Sequence, residues 1–164
     1  MNTDLFITIG KFLNKKNDKQ YVKTYKQILN ERKLYKPYDL VNIQFNNNIL
    51  NNLKWLQNIN IWQCDIEDVS MLSTAHTLSL WDCPKVEDLS MLGTVHTLSL
   101  CDCPKVEDVS MLGTVHTLNI HNCLNVKDVS MLGTVHTLYL WDCPKIEDVS
   151  MLDTVNILSI DYYP

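Results

Sequence analysis

The sequence of 164 residues has few glycines and no long apolar run. Only 4 residues are glycine, and no segment has the Gly-rich pattern of a phosphate-binding loop. No stretch approaches the ~20 apolar residues that a transmembrane helix needs. The His-Glu-x-x-His pattern of zinc proteases is missing, and no pair of acids is placed to converge on a substrate. The sequence therefore predicts neither an enzyme nor a membrane-spanning protein.

The N-terminus lacks the features of a secretory signal. The apolar run from Leu5 to Ile9 is short, is interrupted by Thr8 and follows Asp4 rather than a basic region. Export signals combine a basic start with a longer apolar segment. We therefore expect an intracellular, cytoplasmic protein whose thiols are reduced.

Acidic residues are scarce in the first part of the chain, and basic residues are scarce in the second. Residues 1–45 hold nine Lys/Arg and four Asp/Glu, a net charge of +5, whereas residues 46–164 hold five Lys and fifteen Asp/Glu, a net charge of −10. An acidic surface repels the phosphates of nucleic acids. The second part of the chain is therefore not expected to bind nucleic acid.

What the chain does contain is a repeat. From Val69, four blocks of 20 residues follow one another without insertion: VSMLSTAHTLSLWDCPKVED, LSMLGTVHTLSLCDCPKVED, VSMLGTVHTLNIHNCLNVKD and VSMLGTVHTLYLWDCPKIED. A fifth copy begins at Val149. A fixed period of about 20–50 residues indicates a solenoid, in which each coil packs on its neighbours.

The apolar spacing predicts the shape of one coil. In the second block the apolar residues are Leu89, Leu92, Val95, Leu98, Leu100, Cys103 and Val106. The single two-residue step, from Leu98 to Leu100, indicates a strand, and the three-residue steps indicate turns that return an apolar side chain inward. One coil cannot bury its own inner face, so coils stack and their strands form a parallel sheet.

The segment Leu92 to Cys103, Leu-x-x-Val-x-x-Leu-x-Leu-x-x-Cys, resembles the leucine-rich repeat consensus. The residues that follow, Val106 to Leu112, are similar to the convex side of internalin-type repeats. The resemblance covers roughly Ile59 to Ile160 and implies a parallel sheet on the concave face, with short turns or 3-10 segments on the convex face. The predicted fold class is therefore an α/β solenoid preceded by an N-terminal helical hairpin.

Residues 1–38 are predicted to form that hairpin, and residues 39–164 the solenoid, with a divergent first strand within 40–45. Segments 3–13 and 18–32 carry apolar residues at helical spacing. In one interpretation the hairpin covers the first coil. In another, LFITIGKFLNKKNDKQYVKTYKQI resembles an F-box-like segment, which implies a ubiquitin-ligase substrate receptor that docks a cullin-ligase adaptor. The chain also resembles repeat proteins of large DNA viruses, which implies the host cytoplasm.

Stacking turns each repeated position into a column. The five regularly spaced cysteines point the same way, so we expect buried thiols bonded to carbonyl groups rather than a zinc site. The column of His76, His96, His116 and His136 is expected to be largely neutral at pH 7, because adjacent charged imidazoles repel. The aspartates before each Ser-Met-Leu are expected to accept a backbone N–H. Gly93, Gly113 and Gly133 are predicted to be left-handed C-caps.

Function is expected in the exposed strand columns that vary between repeats. Trp and Tyr are enriched at interaction hot spots, although the tryptophans have an alternative interpretation as packing over neighbouring coils. Cys101 lies outside the cysteine column and is expected to be exposed and reactive. The predicted partner-binding residues are Trp62, Trp81, Asp82, Cys101, Asp102, Asn119, His121, Tyr139, Trp141, Asp142 and Asp161.

The sequence therefore predicts a non-enzymatic module that binds a protein partner through the concave strand face, with no cofactor and no metal. The alternative is a structural scaffold or self-assembling repeat protein with no link to ubiquitin. Self-association is expected through the last coil, because no capping helix follows Ile160 in the sequence.

Overall fold

A computed structural model describes residues 38–41 and 57–161 of the chain. The helices predicted before Tyr38 lie outside the described residues. The divergent first strand, predicted within residues 40–45, is found at Tyr38–Val41.

The described residues form one parallel sheet in which strands follow each other in chain order. Its strands are β1 Tyr38–Val41, β2 Asn58–Trp62, β3 Thr77–Trp81, β4 Thr97–Cys101, β5 Thr117–His121, β6 Thr137–Trp141 and β7 Ile157–Asp161. Asn58 pairs with Thr77, 19 residues further on, and from Thr77 every strand pairs with the one 20 residues later. The predicted solenoid with one strand per repeat is confirmed.

A 3-10 segment lies between successive strands from β2 onward, on the side of the coil opposite the sheet. These segments are Ser70–Leu72, Leu92–Thr94, Ser110–Thr114, Ser130–Thr134 and Ser150–Leu152. Each is preceded by an Asx turn, as at Asp88, whose Oδ1 accepts the backbone N–H of Ser90 at 2.8 Å. The side-chain and backbone hydrogen bonds from Ser90 lower the pKa of Asp88. The predicted capping role of this aspartate column is confirmed.

The core lies between the sheet and the 3-10 segments. Strand residues alternate, so that Leu78 and Leu80 are completely buried while their neighbours face outward. The cysteine column closes one side of this core: the thiol of Cys103 donates to the carbonyl oxygens of Cys101 at 3.4 Å and of Leu80, one coil away, at 3.7 Å. The hydrogen-bonded thiol of Cys123 raises the pKa of Cys103 to about 12. The prediction of buried, carbonyl-bonded thiols is confirmed.

The prediction that the glycines are left-handed C-caps is wrong. Among the described residues no glycine has a positive φ. A Cβ on Gly113 would instead lie 2.4 Å from the carbonyl oxygen of Met131 in the next coil. Glycine is needed here because successive 3-10 segments approach too closely for a side chain. The same approach lets the Thr114 hydroxyl donate to the carbonyl of Gly93 at 2.7 Å.

Candidate partner-binding site

The outward-facing side chains of β2 to β7 form a surface that we call the sheet face. Strand register aligns its residues into columns, as predicted. The middle column is Asn60, Ser79, Ser99, Asn119, Tyr139 and Ser159, and the column at the strand ends is Trp62, Trp81, Cys101, His121, Trp141 and Asp161. The sheet face therefore brings together the strand residues that the sequence selected for partner binding.

Two tryptophans stack at the β2–β3 end of the sheet face. The rings of Trp62 and Trp81 are 4.7 Å apart and inclined by only 15°. Trp62 is 39% exposed, and Trp81 is half-buried. Both interpretations of the tryptophans thus describe part of the geometry, because the rings pack on the neighbouring coil and still present apolar surface to solvent.

A second aromatic cluster lies on β5 and β6. The ring of Trp141 contacts Tyr139 at 5.5 Å and His121 at 6.3 Å, both edge-on. The indole N–H of Trp141 donates to the Ser159 hydroxyl at 3.3 Å, and Nε2 of His121 lies 3.3 Å from a carboxylate oxygen of Asp142. Trp141 is nevertheless 37% exposed. Its orientation is fixed by neighbours on three strands, which lowers the entropy lost on binding.

Small side chains separate the two aromatic clusters. Ser99 and Cys101 lie on β4 and Asn119 on β5, and the amide of Asn119 donates to the Ser99 hydroxyl at 3.3 Å. Trp81 and Trp141 are three strand spacings apart, about 14 Å.

The expectation that Cys101 is exposed and reactive is wrong. Cys101 is only 1% exposed, and its thiol lies 3.8 Å from the Ser99 hydroxyl. Its register partners are Trp81 and His121, whose side chains are much larger and shade it from solvent. Burial raises the pKa of the Cys101 thiol, which keeps it protonated. Cys101 therefore packs beneath its larger neighbours on the sheet face and is not a reactive group.

The acidic residues that follow the strands have a structural role that the sequence analysis did not foresee. Asp82, Asp102 and Asp142 have φ values of 50°, 52° and 50°. Asp and Asn are among the few residue types that tolerate this left-handed conformation. The left-handed conformation turns the chain at the end of each of these strands. The N–H of Asp82 still donates to the Cys101 carbonyl in the next coil at 2.9 Å. The positive φ explains the residue type, and the carboxylates still line one edge of the sheet face.

The sheet face is acidic. Strands β2 to β7 and the residue after each of β2 to β6 contain no lysine, arginine or glutamate. Their carboxylates are those of Asp82, Asp102, Asp142 and Asp161. Asp102 accepts a hydrogen bond from the amide of Asn122, and Asp161 is exposed at the end of β7. This charge favours a partner that carries basic side chains.

No protein-family model and no curated protein matches this chain. Function is therefore argued from the geometry of the site, because a fold by itself does not specify function. Within residues 57–161 and the short strand β1, no three His, Cys, Asp or Glu side chains are arranged to hold a metal ion. The described part of the chain also contains no helix with the length and apolar character of a membrane span.

The histidine column runs beside the sheet face. The imidazoles of His76, His96, His116 and His136 stack with centroids 4.5, 4.6 and 4.5 Å apart. In a parallel stack the nitrogen lone pairs point alongside one another, so they do not converge on an ion. Partial desolvation in the stack and the flanking imidazoles lower the pKa of His96. This column is a continuous, exposed border of stacked rings beside the sheet face.

Proposed function

We propose that this protein is a non-enzymatic interaction module that binds a protein partner through the sheet face. The observation that supports the proposal is the pair of part-exposed aromatic clusters, Trp62–Trp81 and Tyr139–Trp141–His121, held on a rigid parallel sheet. Large aromatic residues contribute most of the binding energy in protein interfaces. Exposing them costs solvation free energy that an interface recovers.

The chemistry of the sheet face indicates what its partner presents. A guanidinium or ammonium group over an indole gains a cation–π interaction, which is strengthened when a carboxylate lies beside it. Asp82 follows Trp81 directly, and Asp142 follows Trp141 in the same way. Each aromatic cluster is thus matched to a basic side chain of the partner.

The test compares proteins cross-linked to the intact chain with those cross-linked to a Trp62→Ser/Trp141→Ser variant. Because both tryptophans also pack on neighbouring coils, the variant is expected to lose some stability, and circular dichroism checks that it remains folded at the temperature of the test. The matched control is Thr74→Ser, an exposed position outside the sheet. A partner retained by wild type and control but lost from the tryptophan variant supports the proposal. Identical cross-linked proteins from all three contradict it.

The link to ubiquitin stays a prediction. It depends on residues 1–38, whose predicted helices fall outside the described residues, and it rests on the resemblance to an F-box-like segment. A pull-down with the cullin-ligase adaptor is its direct test. If the adaptor does not bind the full chain, the sheet face is a recognition surface without this receptor role.

A structural role is a second candidate, and one observation favours it. In β7, Ile157 is 47% exposed and Leu158 40% exposed, whereas their register partners Thr137 and Leu138 are 8% and 0% exposed. An edge strand with exposed apolar side chains pairs readily with another chain. Self-assembly through β7 is therefore the alternative function.

A further inference from the structure

Methionines form a second apolar surface, on the side of the solenoid opposite the sheet. Met91, Met111, Met131 and Met151 are 56%, 57%, 61% and 60% exposed. We call this set the methionine stripe. In each Ser-Met-Leu segment the leucine points into the core, as Leu112 does at 0% exposure, and the methionine points outward. Single exposed apolar residues are ordinary, but a row of four on consecutive coils forms a continuous patch.

Core packing does not account for the methionine stripe. In the first complete coil, Met71 packs partly against the core, but the next four coils leave more than half of each methionine in solvent. The proposed function does not use them either, because they lie outside the sheet face. Methionine is flexible and polarizable, and it is frequent on surfaces that adapt to apolar partners.

Carboxylates flank the N-terminal end of the stripe. One shallow depression contains Met91 together with Glu67, Asp68 and Asp88, and the next contains Met111 together with Glu87 and Asp108. Hydrogen bonds to Ser90 and Ser110 hold the pKa of Asp88 and Asp108 below its usual value, so both are ionised at neutral pH. Lys85 lies 3.6 Å from Glu67 and pairs with part of the charge of the first depression, whereas the lining of the second contains no lysine.

Carboxylates continue toward the C-terminal end. The depression at Met151 is lined by Asp128, Glu147 and Asp148, together with Lys145 and with Lys127, which occupies the position that glutamate holds in the neighbouring coils. The apolar surface and the carboxylates beside it thus continue across all four coils. A ligand that follows the stripe therefore needs apolar contacts along its length and positive charge beside them.

We propose that the methionine stripe is a docking site for a basic amphipathic helix of a protein partner. Coils repeat about every 4.8 Å, and an α-helix rises about 5.4 Å per turn. A helix lying along the solenoid axis therefore presents about one apolar residue per turn to one methionine per coil. Four coils span about 14 Å, which is the length of about ten helical residues. Lysine or arginine beside the apolar positions then pairs with Glu87, Asp88, Glu107 and Asp108.

The test uses the full chain labelled with methyl-13C methionine and a synthetic peptide of about 14 residues, Leu-Lys-Lys-Leu-Leu-Lys-Leu-Leu-Lys-Lys-Leu-Leu-Lys-Leu, whose leucines follow helical spacing. The peptide is expected to shift the methyl signals of Met91, Met111 and Met131 more than that of Met71, which packs against the core, and to become helical on binding. Two control peptides test helical spacing and charge separately: one of the same length in which leucine and lysine alternate strictly, and one with glutamate in place of lysine.

Three variants assign the site. Met111→Gln/Met131→Gln is expected to weaken peptide binding about tenfold or more. Glu87→Gln/Glu107→Gln is expected to weaken it and to reduce its dependence on salt. Trp62→Ser/Trp141→Ser is expected to bind as wild type does, which keeps this proposal distinct from the proposed function of the sheet face.

Several outcomes would overturn the proposal. Equal binding of the glutamate peptide or of the alternating peptide removes the requirement for a basic helix. Unchanged affinity in the methionine variant places the peptide elsewhere. Binding of anionic lipid vesicles in preference to the peptide identifies a membrane surface instead. A dimer that dissociates in Met111→Gln/Met131→Gln shows that a second copy of this chain covers the stripe.

Discussion

A Cβ added to Gly113 would meet the carbonyl oxygen of Met131 at 2.4 Å, and one added to Gly93 would meet that of Met111 at 2.5 Å. Backbone atoms cannot turn aside as a flexible side chain can, so the neighbouring coil has to move. Ser73 occupies the same position one coil earlier, so one coil of the array accepts a small side chain here.

Gly113→Ala is therefore expected to lower the free energy of unfolding by about 1–3 kcal/mol, the usual cost of forcing extra atoms into a packed region. Urea denaturation measures the change. Asp153→Ala is the matched control, because Asp153 holds the same repeat position in the last described coil and is exposed. Equal stability of Gly113→Ala and wild type would show that close approach does not select glycine here.

Single-residue features were the least predictable from the sequence. The burial of Cys101 depends on the size of Trp81 and His121, which lie 20 residues away in the chain and become neighbours only through register. The role of Gly113 depends in the same way on the carbonyl of the next coil. The spacing within one repeat predicts which residues of that coil form the strand and the turns. Contacts between coils decide which of its outward positions are buried.

At the scale of elements, the strands were predictable because the Leu-x-Leu step is local and the repeat imposes it many times. The columns followed from the constant period, so the sheet-face residues were grouped correctly before any coordinates were known. The left-handed corners at Asp82, Asp102 and Asp142 were not foreseen. Aspartate suits both an acidic surface and a positive φ, and the sequence pattern does not distinguish these two reasons.

The histidine stack gives the array a dependence on mild acid. His96 has a pKa below its ordinary value of 6.5 because of partial desolvation and the flanking His76 and His116. As pH falls below about 6.5, histidine in the unfolded chain takes up protons before His96 in the folded chain does. Stability is therefore expected to fall as pH decreases from 7.5 to 5.5, and the melting temperature measures this loss.

His96→Gln serves as the control for this prediction, since it removes the central imidazole and keeps a polar side chain. Its melting temperature is expected to change less between pH 7.5 and 5.5 than that of wild type. A separate loss is expected in stronger acid, below about pH 4, because the folded state lowers the pKa of Asp88 and Asp108. A wild-type melting temperature that stays constant from pH 7.5 to 5.5 would contradict the role of the stack.

At the scale of the whole molecule, the described coils behave as a one-dimensional array in which each coil buries the face of the previous one. Exposure along the leucine column shows this directly: Leu78, Leu98, Leu118 and Leu138 are 0% exposed, whereas Leu158 in β7 is 40% exposed. The sheet face and the methionine stripe run along the sides of the array and grow with the number of coils. The surface of the last described coil is separate from both.

The exposed surface of β7 leads to a prediction about assembly. A copy related by a two-fold axis would place two β7 strands side by side in antiparallel pairing and would cover Ile157 and Leu158 in both copies. The molar mass measured by size-exclusion light scattering is therefore expected to rise from monomer toward dimer with concentration. Ile157→Lys, which places a charge on the edge of the sheet, is expected to stay monomeric. Because Ile157 belongs to neither the aromatic clusters nor the methionine stripe, partner binding by this variant separates recognition from assembly. A wild-type mass that remains monomeric at every concentration would leave recognition as the sole proposed function.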